Sequence, residues 1–333
     1  MTAVVAVDLG KTGCRALLLE GVGPTGDVHE VAGAPGLAAK DGVHTARAAV
    51  LSAVRPLLEG KLDPKLVTVC VGAAGAATAP EAARTMARLL LRDLPTAEVA
   101  VTSDAITAHA GALGGDTGVV LAIGTGAVAV GIGEGGDFAR VDGWGPWLGD
   151  TGSGAWLGLA GLRASVRAHD GRGPGTALLA AAVERFGAVD RWPAAVTGDG
   201  NSARTAASFA PDIARLAAEG DEVAGAILQE AAAELAESVM AASRPLGDGT
   251  VDIALTGGLV GLGAPLMTPL RSALATFARP VRLRDALGTP LDGSRLLARS
   301  TSLPHESHVV RVRRDTPSDL DPVLPATPAA VSY

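Results

Sequence analysis

Two glycine–threonine turns, each hung on an apolar strand, carry the residue types most suited to phosphate chemistry. The first is Asp8-Leu9-Gly10-Lys11-Thr12, directly after Ala3-Val4-Val5-Ala6-Val7. The second is Gly124-Thr125-Gly126, directly after Val119-Val120-Leu121-Ala122-Ile123. Apolar runs follow both, Cys14 to Leu19 and Ala127 to Ile132, so each reads as a tight β-hairpin. Glycine lets a backbone approach an anion closely, and exposed N–H and hydroxyl groups then bind phosphate oxygens. Two such turns imply two domains gripping one polyphosphate.

Carboxylates at strand ends are the next candidates. Asp8 closes a buried strand beside a glycine turn, where a charge is costly without a partner. A magnesium ion with its waters would suit it, since hard cations prefer oxygen ligands. Gly10 and Thr12 would then contact the β- and γ-phosphates, and Lys11 would add charge; an ordinary solvated Asp-Gly hairpin is the competing reading. Ser103-Asp104-Ala105 stands where a strand meets a helix. A helix N-cap explains that placement, and so does a catalytic base that accepts a substrate hydroxyl proton. Gly257-Gly258, after Ile253-Ala254-Leu255, suits a strand-to-helix turn or a cradle for the adenosine end of a nucleotide. The densest stretch runs from Gly143 to Gly154, Gly-Trp-Gly-Pro-Trp-Leu-Gly-Asp-Thr-Gly-Ser-Gly. There Trp144 offers an apolar face to a sugar ring, and Asp150 can accept hydrogen bonds from hydroxyls. Asp150 and Ser153 equally suit a helix N-terminus.

The elements that must position these residues alternate in type. Strands are expected at 3–8, 14–20, 28–33, 67–72 and 98–102, with helices near 43–59, at 80–92 and from Asp104. Hairpin strands restart at 118–124, 126–133 and 138–142, an echo of the architecture without a sequence repeat. A mostly helical region covers 153–243, followed by strands at 251–256 and 280–284 and helices at 263–277 and 291–300. This is an α/β layer pattern with mixed sheets. From Pro304 a brief β-prone run, Val309 to Val312, is followed by Asp, Ser, Thr and Pro, and a poorly ordered tail over 304–333 is expected.

Composition narrows the function. The chain has 333 residues, 48% hydrophobic, 19% charged and only 3% aromatic, so Ala, Val and Leu must build its cores. A net charge of −7 gives no basic footprint for nucleic acid or anionic membrane. No apolar run reaches the roughly 20 residues that span a bilayer, and the N-terminus reads as a strand without secretory features. Cys14 and Cys70, the two cysteines, lie in apolar runs and offer neither metal spacing nor a disulfide framework. A cytoplasmic location is expected.

Taken in order, Asp8-x-Gly10-x-Thr12, Ser103-Asp104-Ala105, Gly124-Thr125-Gly126, Gly143-Trp144-Gly145 through Gly149-Asp150-x-Gly152-Ser153, Arg167-Ala168-His169-Asp170-Gly171-Arg172 and Thr256-Gly257-Gly258 resemble the N-acetylglucosamine and glucosamine kinases of the BadF/BadG/BcrA/BcrD-type ATPase family. The likeness covers about residues 3 to 300, including the Pro290-Leu291-Asp292-Gly293 turn before the last helix. It implies a two-domain actin-like ATPase (ribonuclease H-like) fold with a nucleotide cleft between the domains. The expected division is 1–111 and 112–303, with the last helix packing back on the first domain. It further implies ATP and magnesium as cofactors, magnesium organised by Asp8 through water, and Gly10, Lys11 and Thr12 on phosphate. Gly124, Thr125 and Gly126 form the second phosphate turn, and Gly257 and Gly258 lie by the adenosine. Asp104 is the general base, and Trp144, Gly145 and Asp150 are similar to sugar-contacting positions. The partner is a small amino sugar, with no nucleic acid or membrane, and a homodimer is expected from relatives.

Three departures stand out. The second turn usually continues Gly-Thr-Gly-Ser, whereas position 127 is Ala. The loop Pro35 to Gly42 lacks the sugar-contacting Asn, Asn201 being the only asparagine. The loop Gly72-Ala73-Ala74-Gly75 lacks a Ser found in some relatives. Two other readings compete with a kinase. A dehydratase activator of the same family would hold an iron–sulfur cluster on cysteines, which Cys14 and Cys70 do not suit. A nucleotide- or sugar-binding regulator would need neither Asp8 nor Asp104.

Overall fold

The computed structural model describes residues 3–21, 23–24, 26–59, 67–198 and 200–314. They form two compact units, one from residues up to Asp116 together with those from Leu287 onward, the other Thr117–Ala286.

The first unit is built on β1 (Ala3–Leu9), β2 (Gly13–Glu20), the two-residue β3 (Gly23–Pro24), β4 (His29–Ala32), α1 (Gly42–Leu58), β5 (Val67–Ala73), α2 (Pro80–Asp93), β6 (Glu98–Ser103) and α3 (Asp104–Leu113). The described strands make one mixed sheet in the order β12-β6-β5-β1-β2-β3, with β4 also on β2 and β12 (Val310–Arg313) supplied by the end of the chain. β1 is buried along almost its whole length, which explains its unbroken apolar run between the parallel β5 and the antiparallel β2. β2, by contrast, alternates buried and exposed positions. α1 and α2 bury Val50, Val54, Met86, Leu90 and Leu91 against the strands' Val5, Val7, Val69, Val71 and Val99.

The second unit opens with β7 (Gly118–Ile123), β8 (Ala127–Ile132) and β9 (Phe138–Asp142). The helices α4 (Gly154–His169), α5 (Leu178–Phe186), α6 (Trp192–Thr197), α7 (Ser202–Ala207), α8 (Ala210–Ala218) and α9 (Glu222–Ala242) follow. β10 (Val251–Thr256), α10 (Ala264–Ala275) and β11 (Val281–Arg284) close it, and α11 (Pro290–Arg299) returns to the first unit. The sheet order is β11-β10-β7-β8-β9, with β7–β8 and β8–β9 antiparallel and β10 parallel to both β7 and β11. This repeats the antiparallel hairpin plus parallel strands of the first unit, the architectural echo expected from the sequence. Aliphatic residues dominate its core, with Phe209 and Trp192 the bulky exceptions.

Two expectations change. The division falls after 116 and again before 287, rather than after 111 and at 303. The physical cause is a close crossing of α3 and α11: a Cβ on Gly111 would lie 2.0 Å from the Thr289 carbonyl, and one on Gly293 1.8 Å from that of Thr107. The Leu287 N–H also donates to Ala112 O at 2.9 Å. Pro290 to Gly293 is the first turn of α11, not a turn before it, and Thr289 and Asp292 form its capping box.

The second change concerns the tail. Residues 304–314 are ordered: a 3₁₀ turn at Glu306–His308 leads into β12, which pairs antiparallel with β6 from Val310↔Val101 to Arg313↔Glu98. Arg311 is nearly buried among Glu98, Glu306 and the carbonyls of Leu297 and Ser300, and ion pairing pushes its pKa further up. Arg314 caps the carbonyls of Leu91, Leu94 and Thr96. A sheet edge and a set of orphan carbonyls thus supply what the polar composition of this segment lacks in apolar burial. Residues 315–333 lie outside the described residues.

Candidate phosphate-binding and catalytic site

In the first unit, the carboxyl ends of the parallel β1, β5 and β6 converge, the edge at which open α/β sheets bind ligands. Gly10 closes its own turn, its N–H donating to Gly13 O at 2.9 Å, and Lys11 and Thr12 stand exposed at the tip. Two neighbouring loops brace that turn through backbone bonds. Ala34 N donates to Gly10 O, Ala74 N to Leu9 O, and Leu37 N to Ala74 O, at 2.9 to 3.2 Å. Gly33, not singled out from the sequence, is essential here, because a Cβ on it would fall 2.3 Å from Gly10 O. Gly72 is similarly confined, its Cβ position lying 2.3 Å from Thr107 Oγ1 on α3.

Asp8 and Asp104 are brought together. Burial raises the pKa of the Asp8 carboxyl, the Arg15 guanidinium opposes that rise, and the Asp104 carboxylate adds to it. Ser103 performs the capping, its hydroxyl accepting from Ile106 N at 3.3 Å. Asp104 is therefore the first helical residue rather than the cap, and its Oδ1 accepts from its neighbour Ala105 N at 2.9 Å. The capping that Ser103-Asp104 could serve thus falls to Ser103. A partly desolvated carboxylate pair with Arg15 as its opposing charge suits a hard divalent cation, so Asp8 fits magnesium. Among the described residues no group of three or more His, Cys, Asp or Glu could hold a metal ion by itself.

In the second unit, Gly124 N donates to Gly126 O at 2.8 Å, closing the second turn. The first turn of α4 holds it from behind: Gly154 N donates to Gly124 O at 2.8 Å and Ala155 N to Thr125 O at 3.1 Å. Thr125 is exposed at the tip. Gly257, at φ 93°, runs hard against β7, since its Cβ would meet Ile123 O at 2.3 Å. Gly258 has open space around it.

Asp150 has a local task that the sequence did not reveal. It is 9% exposed, at φ 56°, and its carboxylate accepts from Gly145 N at 3.3 Å and from the Ala127 backbone. Burial raises its pKa and these two bonds lower it. Gly126 must be glycine because a Cβ there would lie 2.5 Å from Asp150 Oδ2. Asp150 thus ties the Gly124–Gly126 turn to the Trp144 loop. Position 127 serves this tie through its N–H, and its methyl is buried in the core. Asp142, at φ 63°, organises the same loop by accepting from Asp150 N, Thr151 N and Thr151 Oγ1. Trp144 is 67% exposed beneath the Arg140 guanidinium, and Trp147 and Leu148 are 70% and 86% exposed.

Other sequence features resolve into local structure. Asp170 pairs with Arg172 and His169 on the surface past α4, and Asn201 caps α7. Cys14 and Cys70 are buried free thiols whose pKa burial pushes up to about 12, so neither is reactive. Among the described residues no helix is long and apolar enough to cross a membrane.

Paired mixed sheets carrying glycine turns of this kind define an α/β protein of the actin-like ATPase and sugar-kinase structural class. The chain belongs to the BadF/BadG/BcrA/BcrD ATPase family, whose model matches residues 5–273. It is similar to a solved protein described as "Putative N-acetylglucosamine Kinase" from Chromobacterium violaceum. Identity is 26%, 90% of this chain and 99% of that one are covered, and the TM-score is 0.67. A protein of the same description from Porphyromonas gingivalis shares the fold at 21% identity, covering 91% and 99%, with TM-score 0.63. A ROK family glucokinase from Streptomyces griseus, solved with glucose and AMPPNP, shares it at 18% identity, covering 89% and 99%, with TM-score 0.50. No curated protein matches the chain.

Proposed function

We propose that the protein is an ATP-dependent kinase that phosphorylates the 6-hydroxyl of an amino sugar, N-acetylglucosamine or glucosamine. The single observation carrying this reading is the Asp8–Asp104 arrangement: two carboxylates at the carboxyl ends of β1 and β6, the strands that flank β5, beside a braced glycine turn, with capping assigned to Ser103. Binding alone would need neither a metal organiser nor a base. The family and the N-acetylglucosamine kinase description of the 26%-identical structure support the class of reaction and of acceptor.

Each unit contributes its own part. Gly10, Lys11 and Thr12 bind phosphate in the first, Gly124, Thr125 and Gly126 in the second, while Gly257 and Gly258 receive the adenosine. Magnesium, held through water by Asp8, would neutralise charge on the phosphates. Asp104 accepts the proton of the sugar hydroxyl as its oxygen bonds to the γ-phosphorus; the bond from that phosphorus to the bridging oxygen breaks, and ADP leaves. Backbone N–H groups of the turns stabilise the spreading charge. Trp144 provides an apolar face for the sugar, and Asp150 sets the loop that carries it, along with Gly145.

The test is ADP release with ATP, magnesium and a panel of hexoses and hexosamines. The wild-type protein is expected to turn over an amino sugar. Asp104→Asn should lower kcat by about 10³-fold or more while its ATP affinity changes by less than about threefold, the split expected of a group used in the transition state. Undiminished turnover by that variant would show the base is misassigned.

A further inference from the structure

Asp104 sits at a corner, immediately after β6 and at the start of α3, so its carboxylate goes where that corner goes. The segment 305–314 grips the corner on both sides. Before it, β12 covers the edge of β6 through residues 98–101, and where that ladder stops Thr102 Oγ1 donates to His308 O at 2.7 Å. After it, His109 on α3 places Nδ1 2.8 Å from His305 Nε2, both rings fully buried. His109 lies five residues beyond Asp104, about 7.5 Å along the helix. The family match ends at residue 273, so the gripping segment 305–314 lies outside it, while Thr102 and His109 lie within it.

A buried pair of imidazoles is a costly way to fill space, since apolar rings would need no partner. What it adds is direction. One hydrogen must lie between the two nitrogens, and His305 Nδ1 is buried without a partner. An orphaned donor costs more than an orphaned lone pair, which puts the hydrogen on His305 Nε2 and makes His109 Nδ1 the acceptor. Desolvation, reinforced by His109 and His308, holds the His305 pKa down at about 3, so the His305 ring is neutral. Such a bond fixes the axial position of α3 in a way that aliphatic contact would not.

We propose that His109 and His305 form a latch by which the 305–314 segment positions the Asp104 carboxylate, with Thr102 as its second catch. They are positioning residues, and their effect on turnover rests on the kinase reading above. Gln at 305 keeps an N–H at the same reach as Nε2, and Leu keeps the bulk without the donor.

The experiment compares His305→Leu, His305→Gln and Thr102→Val in the full chain, reading steady-state kinetics, melting temperature and amide exchange over residues 98–113. His305→Leu is expected to lower kcat about tenfold or more with KM for ATP within about twofold, as small displacements of a catalytic group do. Exchange at the corner should rise with it. His305→Gln should restore both, and Thr102→Val should shift both in the same direction by less, deciding the matter should the Leu variant fail to fold. Wild-type kcat and exchange in His305→Leu, or a loss of kcat matched by the folded fraction lost, would overturn the latch. If the wild-type protein phosphorylates no sugar, the kinase reading falls instead, and exchange at the corner still decides whether the latch exists.

Discussion

Asp8 carries two opposed demands. In the role proposed for it, organising magnesium, it must be ionised, yet burial and the neighbouring Asp104 carboxylate both favour its neutral form. A carboxyl whose folded pKa is raised contributes stability below its unfolded value, near 4, and loses it as pH rises through the folded value. Asp8→Asn is neutral throughout. Its melting temperature at pH 7, without nucleotide or metal, is therefore expected to exceed that of the wild-type protein, and the gain should close as pH falls below about 4. Scanning calorimetry at the two pH values checks this, and an Asn variant that melts lower at pH 7 would refute it. The same substitution should abolish turnover, an instance of the exchange of stability for function common at active sites.

Elements, more than single residues, explain what the sequence disclosed and what it hid. The hairpins at Gly10 and Gly124 were legible because apolar runs break at glycine and resume, a signal local to a dozen residues. Asp104 was legible as a strand-to-helix junction, but which of the two residues caps the helix was not, since Ser103 and Asp104 are equally good caps in isolation. β12 was visible only as the brief β-prone run Val309 to Val312; its pairing was hidden because the partner edge lies some two hundred positions away. Gly33, Gly72 and Gly293 were equally illegible, their need for hydrogen in place of a side chain arising from backbone brought close by tertiary packing. The contact of α3 with α11 gives a direct test. Gly293→Ala would place a methyl 1.8 Å from Thr107 O, so it should destabilise the protein by about 3 kcal/mol through forced separation of the helices. Urea unfolding measures this, and a change below about 0.5 kcal/mol would mean the helices yield freely.

At the scale of the molecule, the second unit is one continuous stretch, Thr117–Ala286, whereas the first joins two distant stretches. A fragment of residues 117–286 holds both its sheet and its apolar core and is expected to unfold cooperatively on its own. A fragment of residues 1–116 lacks α11 and β12, leaving the edge of β6 unpaired and Val4, Ala6 and Leu19 without Leu291 and Ala298. It should aggregate or remain largely unfolded. Circular dichroism with denaturant titration of both fragments tests the pair, and a stable, monomeric 1–116 would overturn the assignment.

The same stitching sets an order of events at the ribosome. Residues 1–116 emerge first but wait for the last turns and strand of the unit while the whole of 117–286 is translated and able to condense. The nascent β6 stays available to any passing strand for that interval, a hazard met by chaperones or by speed of elongation. The Asp104 corner, held by the segment 305–314, is consequently among the last parts of the first unit to set.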